Sequence, residues 1–465
     1  MNTKPTLLPA EPKIAHGKIK RSIPPKRIGL MGSFGTGNLG DAAIQQTMIH
    51  HIQKYYPDAQ IHGFSLCPED TEKRHGITTF PMNSFCCDVK ANPVWLKGDG
   101  KNPIIMILFQ IYAKVYSIPD RYRLIRKLLK VFPRSVLEIS GWLRAYKNLK
   151  GCDLLIVSGG GQLDDYFGGP WRGQPLTLLI WGLFAKLRRV EYLFVSVGAG
   201  PIDSSLSRFF IKKALSLASY RSYRDDYSKN YIAKVVGFEE DDPVYPDLAH
   251  SLEIVDYQAL AAFQKVKMPR TYQRIVGIGP MPYLAPEGLQ EPQSPLQLEY
   301  LTKLASFISW LIQNQCAILF FTGEAYYDRF IIDDLKEILN KTGVVYSSDQ
   351  IIENSIQTTD DLMVQLAMTD IVVASRFHGV LLSQLLNKPV MAISYHPKID
   401  LLMADTGQAE YCLQIDNFDV DTLKERFTAL EANRDSIKQQ LAKRTQEYRE
   451  ALNEQYERLF GNWQS

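Results

Sequence analysis

The chain of 465 residues contains 53 basic and 50 acidic side chains, which give a net charge of +3. A single hydrophobic core rarely exceeds about 250 residues, so this length predicts two domains. The apolar fraction of 45% and the charged fraction of 22% exclude a disordered chain, a fibrous repeat and a coiled coil. A charge this balanced gives no reason to expect a nucleic-acid partner. Six cysteines in so long a chain indicate free thiols in a reducing cytoplasm rather than a disulfide framework.

The N-terminal residues 1–26 contain prolines and lysines where a secretory signal needs an apolar run. They therefore predict a flexible arm. No stretch reaches the ~20 apolar residues that a membrane-spanning helix needs. We expect a cytoplasmic protein, either free in solution or bound peripherally to the inner face of the membrane.

Short apolar runs alternate with helical patterns, which is typical of parallel sheets covered by helices on both faces. One sheet is predicted from the runs Arg27–Met31, Ala59–Ser65, Cys152–Ser158 and Glu191–Val197. A second sheet is predicted from the runs Arg274–Ile278, Ala317–Phe321, Asp370–Ala374 and Pro389–Ile393. The sequence thus predicts an α/β fold with domains at 27–265 and 266–420. A charged tail at 421–465 predicts one amphipathic helix or a helix pair.

A basic insertion interrupts the first domain at about 97–150, where twelve Lys or Arg and three Asp or Glu accompany many apolar residues. One interpretation is an interfacial surface that meets anionic lipid headgroups or a lipid-linked substrate. The other is a helical subdomain with a solvated basic face. The basic residues do not keep to one helix face, which favours the second interpretation.

Glycine-rich turns follow three strands of the predicted first sheet. Ligands of open parallel sheets bind beyond the carboxyl ends of the strands, where glycines let backbone N–H groups approach an anion. Each turn is equally explained as a tight connection between strand and helix. Asp41 is a candidate base and, on the alternative interpretation, the N-cap of the following helix. The other residues singled out in these turns are Asn38, Gly40, Gly159, Gly160, Gly198 and Gly200.

Two arginines stand at predicted helix starts. Arg224 either binds a phosphate or carboxylate or forms an ion pair with Asp225 or Asp247, and the sequence leaves both interpretations open. Arg376 follows a second-domain strand together with His378, which can exchange protons near neutral pH. Because a helix N-terminus repels a cation, an anionic ligand explains Arg376 better than a structural role does.

Seven segments follow one another along the chain: Asn38-x-Gly40-Asp41, Ser158-Gly-Gly-Gly161, Gly198-x-Gly200-Pro201, Arg224-Asp225, Pro246-Asp247, Ser375-Arg-Phe-His-Gly379 and Ser394-Tyr-His-Pro-Lys398. In this order they resemble the polysaccharide pyruvyl transferase family. The resemblance runs from about residue 27 to 405. It departs from the usual pattern at Phe377, where Leu is common, and at His396, where Asp is common. The resemblance implies two Rossmann-like domains facing a cleft, similar to the GT-B glycosyltransferase architecture.

The implied activity transfers a pyruvyl group from phosphoenolpyruvate to a sugar of a cell-surface polysaccharide, or its lipid-linked precursor, and forms a ketal. His378 is the expected proton donor, or the acid that assists phosphate departure, and Asp41 is the expected base. The expected donor-binding residues are Arg376, Phe377, Arg224, Gly159, Gly160, Gly198 and Gly200. The expected acceptor-side residues are Asn38, Gly40, His396 and Lys398. We expect no cofactor, with phosphoenolpyruvate as the donor substrate. We also expect no metal, because the adjacent residues His50 and His51 face different sides of a helix and form no ligand cluster.

Two alternatives remain open. The same scaffold could transfer a glycosyl group from a nucleotide sugar, since fold does not determine function. Glu324 is then the candidate partner for ribose hydroxyls. The protein could also be a sugar- or anion-binding regulator without catalysis, although the presence of both Arg376 and His378 argues against this.

Overall fold

The computed structural model describes residues 24–83 and 138–461, except 167, 255, 266–271, 284–293, 326 and 348. Most of the predicted N-terminal arm and of the basic insertion lies outside the described residues, so both interpretations of the insertion remain predictions.

The chain divides into two compact units. Unit 1 comprises the chain up to Thr36, Met48–Leu248 and the chain from Leu452 onward, and unit 2 comprises Gly37–Thr47 and Ala249–Ala451. This division differs from the predicted boundaries, because residues 249–265 belong to unit 2. The predicted tail at 421–465 is likewise divided between the units at residue 452.

Unit 1 contains a seven-stranded sheet in the order β3-β2-β1-β4-β6-β5, with β7 beside β6. All its strand pairs are parallel. The strands are β1 (Arg27–Met31), β2 (Gln60–Ser65), β3 (Thr78–Pro81), β4 (Leu154–Ser158), β5 (Gly161–Leu163), β6 (Glu191–Ala199) and β7 (Tyr220–Tyr223).

Unit 2 contains a six-stranded parallel sheet in the order β10-β9-β8-β11-β12-β13. Its strands are β8 (Arg274–Gly279), β9 (Cys316–Phe320), β10 (Ile351–Glu353), β11 (Ile371–Ala374), β12 (Val390–Ser394) and β13 (Cys412–Gln414). Relative to the chain this is the Rossmann order 3-2-1-4-5-6, whose direction reverses between β8 and β11. The prediction of two parallel-sheet α/β domains is confirmed.

Helices connect these strands. They are α1 (Leu39–Tyr55), α2 (Pro68–His75), α3 (138–148), α4 (Gly169–Arg172), α5 (Gln174–Arg188), α6 (Ser205–Leu217), α7 (Asp226–Tyr231), α8 (Tyr257–Lys265), α9 (Pro295–Gln313), α10 (Tyr327–Lys341), α11 (Thr359–Met368), α12 (Phe377–Leu385), α13 (Pro397–Asp405), α14 (Val420–Ala432) and α15 (Arg434–Phe460). The tail therefore forms the helix pair that was one of its two predicted forms. None of the helices in the described part of the chain is both long and apolar enough to cross a membrane.

The end of α15 packs in the core of unit 1. Gln455 is fully buried; its amide donates to Ser222 Oγ at 2.7 Å and its carbonyl accepts from Ser196 Oγ at 3.0 Å. Tyr456 stacks on His51 with ring centres 3.8 Å apart. Gln455 is buried and its amide group is hydrogen-bonded to side chains of unit 1. These contacts explain why the chain from Leu452 onward belongs to unit 1.

Candidate functional site

The reversal of strand order in unit 2 places β8 and β11 side by side, with Gly279 opposite Ala374. The chain leaves β11 through Ser375 and Arg376 and begins α12 at Phe377. Ligands of such sheets bind at this point, beyond the carboxyl ends of the two strands. The structure therefore places Arg376 and His378 at the switch point of unit 2.

Arg376 is held by Asp328, a residue of α10 that the sequence analysis missed. The Arg376 Nε lies 2.8 and 2.9 Å from the two carboxylate oxygens, and Nη2 also donates to this carboxylate. Asp328 is fully buried and accepts the backbone N–H groups of Gly323 (2.9 Å) and Glu324 (2.8 Å) as well. Burial would lower the pKa of Arg376, but the charge of Asp328 outweighs burial and raises it. The guanidinium is thus fixed in position and permanently charged.

The outer edge of Arg376 remains accessible. Its side chain is 25% exposed, and Nη1 makes no hydrogen bond to the described residues. The aliphatic part of the Arg376 side chain packs closely against Gly323. A Cβ atom at position 323 would lie 2.7 Å from Arg376 Cδ. The arrangement can therefore present guanidinium N–H groups to an anion without losing the ion pair.

His378 lies against the Asn38–Asp41 motif. A Cβ atom on Gly40 would lie 2.0 Å from His378 Nδ1, so only glycine fits beside this ring. Asn38 Oδ1 accepts the N–H groups of Gly40 (3.0 Å) and Asp41 (3.3 Å) and so caps α1. The suggestion that Asp41 is the N-cap is wrong, because the helix begins two residues earlier and Asp41 lies in its first turn.

Backbone hydrogen bonds attach this motif to the turn that follows β9. Leu39 N–H donates to the Gly323 carbonyl, and Ala325 N–H donates to the Gly37 carbonyl, both at 2.9 Å. We call the residues brought together in this way the Arg376 cluster. Its members are Asn38, Gly40, Asp41, Gly323, Asp328, Arg376 and His378.

Behind the cluster, Tyr300 supports the turn after β11. Its hydroxyl lies 2.8 Å from Ser375 Oγ, and both side chains are buried. Burial is the main cause that raises the pKa of Tyr300 to about 12. The phenol therefore stays protonated near neutral pH and serves as a fixed hydrogen-bonding partner.

His396 and Lys398 follow the next strand, β12. His396 caps α13, since its Nδ1 accepts the Lys398 N–H at 3.2 Å. This is the hydrogen bond that an Asp in this position would make. Lys398 Nζ lies 5.9 Å from the ring centre of Phe377 and 5.4 Å from that of Tyr395, within reach of a cation–π interaction.

Arg224 in unit 1 has the ion-pair arrangement, the second of the two interpretations left open. Its Nε lies 3.2 Å from Asp225 and its Nη1 lies 3.4 Å from Asp247. Burial would lower the pKa of Arg224, but the two carboxylates raise it. The side chain is 7% exposed, and a Cβ atom on Gly198 would lie 2.6 Å from its Nη2.

The glycine turns of unit 1 make sheet hydrogen bonds. Gly159 N–H donates to the Val195 carbonyl (2.8 Å) and Gly198 N–H to the Gly160 carbonyl (2.7 Å). Gly200 N–H donates to the Leu163 carbonyl at 3.0 Å. These three amides were expected to hold an anion, but in this structure the Gly159 amide joins the end of β4 to β6, and the Gly198 and Gly200 amides join β6 to the β5 segment.

Three polar side chains of unit 1, those of Ser33, Gln162 and Gln174, form a hydrogen-bonded cluster that was not predicted from the sequence. Gln162 Oε1 accepts the Ser33 N–H at 3.2 Å, and Gln174 Nε2 donates both to Ser33 Oγ and to Gln162 Oε1. Ser33 follows β1 and Gln162 lies within β5, and no motif signals a glutamine in such a position. Asp328 gave only a weak signal, as an acidic residue in the first turn of an amphipathic helix.

Two further expectations concern metals and ribose. Within the described ranges, no group of three or more His, Cys, Asp or Glu side chains could hold a metal ion. Glu324, the candidate ribose partner, is 6% exposed, and its residue forms a backbone bridge with Asn38.

The sequence and the fold were compared with known proteins. The family model for polysaccharide pyruvyl transferase matches residues 38–397. No curated protein sequence matches the chain.

The fold is similar to solved structures. The N-terminal domain of trehalose-6-phosphate phosphatase from Candida albicans has a TM-score of 0.54 at 11% identity, covering 95% of this chain and 98% of that chain. UDP-GlcNAc 2-epimerase from Neisseria meningitidis, bound to UDP-GlcNAc, has a TM-score of 0.52 at 10% identity, covering 92% and 99%. The UDP co-structure of MnaA from S. aureus has a TM-score of 0.51 at 11% identity, covering 90% of each chain. At these identities the similarity shows the fold alone.

Proposed function

Because the chain belongs to the polysaccharide pyruvyl transferase family, we propose that it transfers a pyruvyl group from phosphoenolpyruvate to two hydroxyls of a sugar and forms a ketal. The observation that carries this proposal is the fixed Arg376 beside His378 at the switch point of unit 2. The acceptor is a sugar of an exopolysaccharide or of its lipid-linked precursor, and the reaction takes place in the cytoplasm.

Phosphoenolpyruvate carries a phosphate and a carboxylate, so its site needs several N–H donors and positive charge. The accessible Nη1 of Arg376 supplies both. The N-terminus of α12, which begins at Phe377, adds backbone N–H groups and the positive end of the helix dipole. An anion here would also offset the repulsion between Arg376 and this helix end.

The reaction begins when His378, as the proton donor, protonates the terminal methylene carbon of phosphoenolpyruvate. The positive charge that develops at C2 is attacked by a sugar hydroxyl oxygen, which gives up its proton. The C2–O bond to phosphate then breaks, and phosphate leaves with the bonding electrons. The second hydroxyl bonds to C2 and closes the ketal. Of the two protons released, one restores the acid and the other protonates phosphate.

Asp41 is the proposed base for an acceptor hydroxyl. It lies in the first turn of α1, and its neighbour Gly40 packs against the ring of His378. A carboxylate in this place can accept a hydroxyl proton while the imidazole delivers one to carbon. Two groups with opposite tasks are what acid–base catalysis of ketal formation needs.

The test is thermal unfolding of the purified protein with phosphoenolpyruvate, UDP-sugars and GDP-sugars in separate samples. A ligand at 100 times its Kd stabilises the native state by about 2.7 kcal/mol. We expect phosphoenolpyruvate to raise the Tm of the wild-type protein and of Arg434→Ala, which removes a half-buried arginine of α15. It should not raise the Tm of Arg376→Ala. A response to nucleotide sugars alone would favour glycosyl transfer, and binding without turnover would favour a regulator.

A further inference from the structure

Unit 2 contains a cavity beyond the carboxyl ends of β9 and β10. Its volume is about 380 Å³, near the lower end of the ~300–1,000 Å³ typical of small-molecule sites. One wall is a face of α10, and the other is the loop 354–357 that follows β10. We call it the α10 cavity. It lies at the sheet edge where parallel α/β sheets bind ligands, but away from the switch point.

The charged side chains of the α10 cavity are balanced. Lys336 Nζ lies 2.6 Å from Glu353 and 3.3 Å from Asp333, so two carboxylates neutralise this cation. Arg329 is exposed and forms no ion pair within the described part of the chain. Two cations and two anions provide no excess positive charge, which a phosphate-bearing donor would need.

The lining suits a neutral ligand rich in hydroxyl groups. The carboxylates of Asp333 and Glu353 can accept hydrogen bonds from sugar hydroxyls, while Arg329 donates to sugar oxygens. Ser355 and Gln357 add a hydroxyl and an amide that act as both donors and acceptors. Buried apolar side chains complete the floor, as in most small-molecule sites.

Each wall of the cavity is adjacent along the chain to a residue that contacts the Arg376 cluster. On one side, Arg329 is the residue after Asp328, the partner of Arg376. On the other side, the loop leads into α11, where Thr359 Oγ1 donates to the Leu39 carbonyl at 3.4 Å, next to Gly40. The cavity is therefore lined by segments next to those that hold Arg376 and contact Leu39.

We infer that the α10 cavity binds the acceptor as a neutral sugar ring, an inference that rests on the proposed pyruvyl transfer. None of the residues that the sequence suggested for the acceptor side, Asn38, Gly40, His396 and Lys398, lines this cavity. The lining instead comes from α10 and from the loop after β10.

The experiment measures binding of methyl glycosides of glucose, galactose, mannose and N-acetylglucosamine by saturation-transfer NMR. Ser355→Trp fills the cavity from an exposed loop position, and Arg329→Ala removes its unpaired cation. Lys341→Ala is the control, an exposed basic residue of the same helix outside the cavity. We expect at least one glycoside to bind the wild-type protein and the control, with an affinity about tenfold or more lower in both cavity variants.

The Tm shift caused by phosphoenolpyruvate is measured on the same four proteins and should be equal in all of them. Undiminished glycoside binding by Ser355→Trp, or no glycoside binding by the wild-type protein, would overturn the inference. Loss of the phosphoenolpyruvate shift in Ser355→Trp would also overturn it, because the cavity would then hold the donor. Glycoside binding that depends on Ser355 and Arg329, without any response to phosphoenolpyruvate, would support a sugar site and refute only the proposed function.

Discussion

Units 1 and 2 each place an arginine directly after a strand and at the start of a helix, but the two arginines have different surroundings. Arg224 is 7% exposed and shares two carboxylates, those of Asp225 and Asp247. Arg376 is 25% exposed and is paired with one fully buried carboxylate, that of Asp328. The charge of Arg224 is balanced within the fold, whereas Arg376 keeps an accessible edge. The accessible donors of an arginine, more than its charge, make it a candidate for anion binding.

The largest effect on turnover is expected for His378, the proposed acid–base residue beside Arg376. We expect His378→Ala to lower kcat by about 10²–10⁴-fold, because general acid catalysis contributes on this scale. The Tm should stay near that of the wild-type protein. The measurement is phosphate release from phosphoenolpyruvate in the presence of acceptor sugar, with His50→Ala as an exposed control. Near-normal turnover would exclude His378 as the proton donor.

The number of carboxylates around each arginine predicts a difference in stability. Asp328→Asn removes the carboxylate that pairs with Arg376 among the described residues and should lower the free energy of unfolding by about 3 kcal/mol. Asp247→Asn should cost about 1 kcal/mol, because Asp225 still neutralises Arg224. Urea denaturation of both variants measures this difference. Equal losses would mean that the two ion pairs play the same part in the fold.

Two glycines allow a matched comparison, because Gly40 packs against His378 and Gly198 packs against Arg224. Substituting each in turn tests which of the two side chains is needed for function. Gly40→Ala would press on His378 and Gly198→Ala on Arg224, and each should cost about 1–3 kcal/mol through overpacking. Only Gly40→Ala should also lower turnover. Combining Gly40→Ala with His378→Ala should recover stability but not activity, which a double-mutant cycle would detect.

The outcome for Gly198→Ala decides whether unit 1 contributes to donor binding. The variant should keep the Tm shift caused by phosphoenolpyruvate. Loss of that shift would instead place Arg224 in the donor site, as the first of its two interpretations held.

The smallest effect concerns the helix caps. Asp225 caps α7 in unit 1 through the Ser228 N–H at 2.6 Å, and His396 caps α13 in unit 2. His396→Asp should raise stability by less than about 1 kcal/mol, because Asp is a preferred N-cap and its charge suits the helix dipole. Thermal unfolding near neutral pH measures this. A clear loss of stability would show that His396 has a further structural role.

The strands and the glycine turns could be predicted from sequence because they depend on local patterns. Apolar runs such as Leu154–Ser158 are buried along their whole length, and this is what a central parallel strand requires. The placement of Arg376 and His378 beyond β11 followed from the same reasoning. A helix was predicted to follow this strand from Val380, and α12 does follow it but begins three residues earlier, at Phe377.

The partners of these residues could not be predicted, because they come from distant parts of the chain. Asp328 meets Arg376 across 48 residues. Gly40 meets His378 from near the other end of the chain, and nothing in either local pattern specifies that contact. The position of the α1 N-cap depends on two hydrogen bonds that Asn38 Oδ1 accepts, and these are too small an effect to predict from a turn with several polar residues.

The attachment of Gly37–Thr47 to unit 2 has a consequence for how the protein is made. During synthesis, the glycine that must face His378 leaves the ribosome long before the histidine itself. The Arg376 cluster can therefore form only after most of the chain has been translated. A fragment that begins at Ala249 would retain the whole second sheet but lack Gly40, and it could not be transplanted as an independent catalytic module.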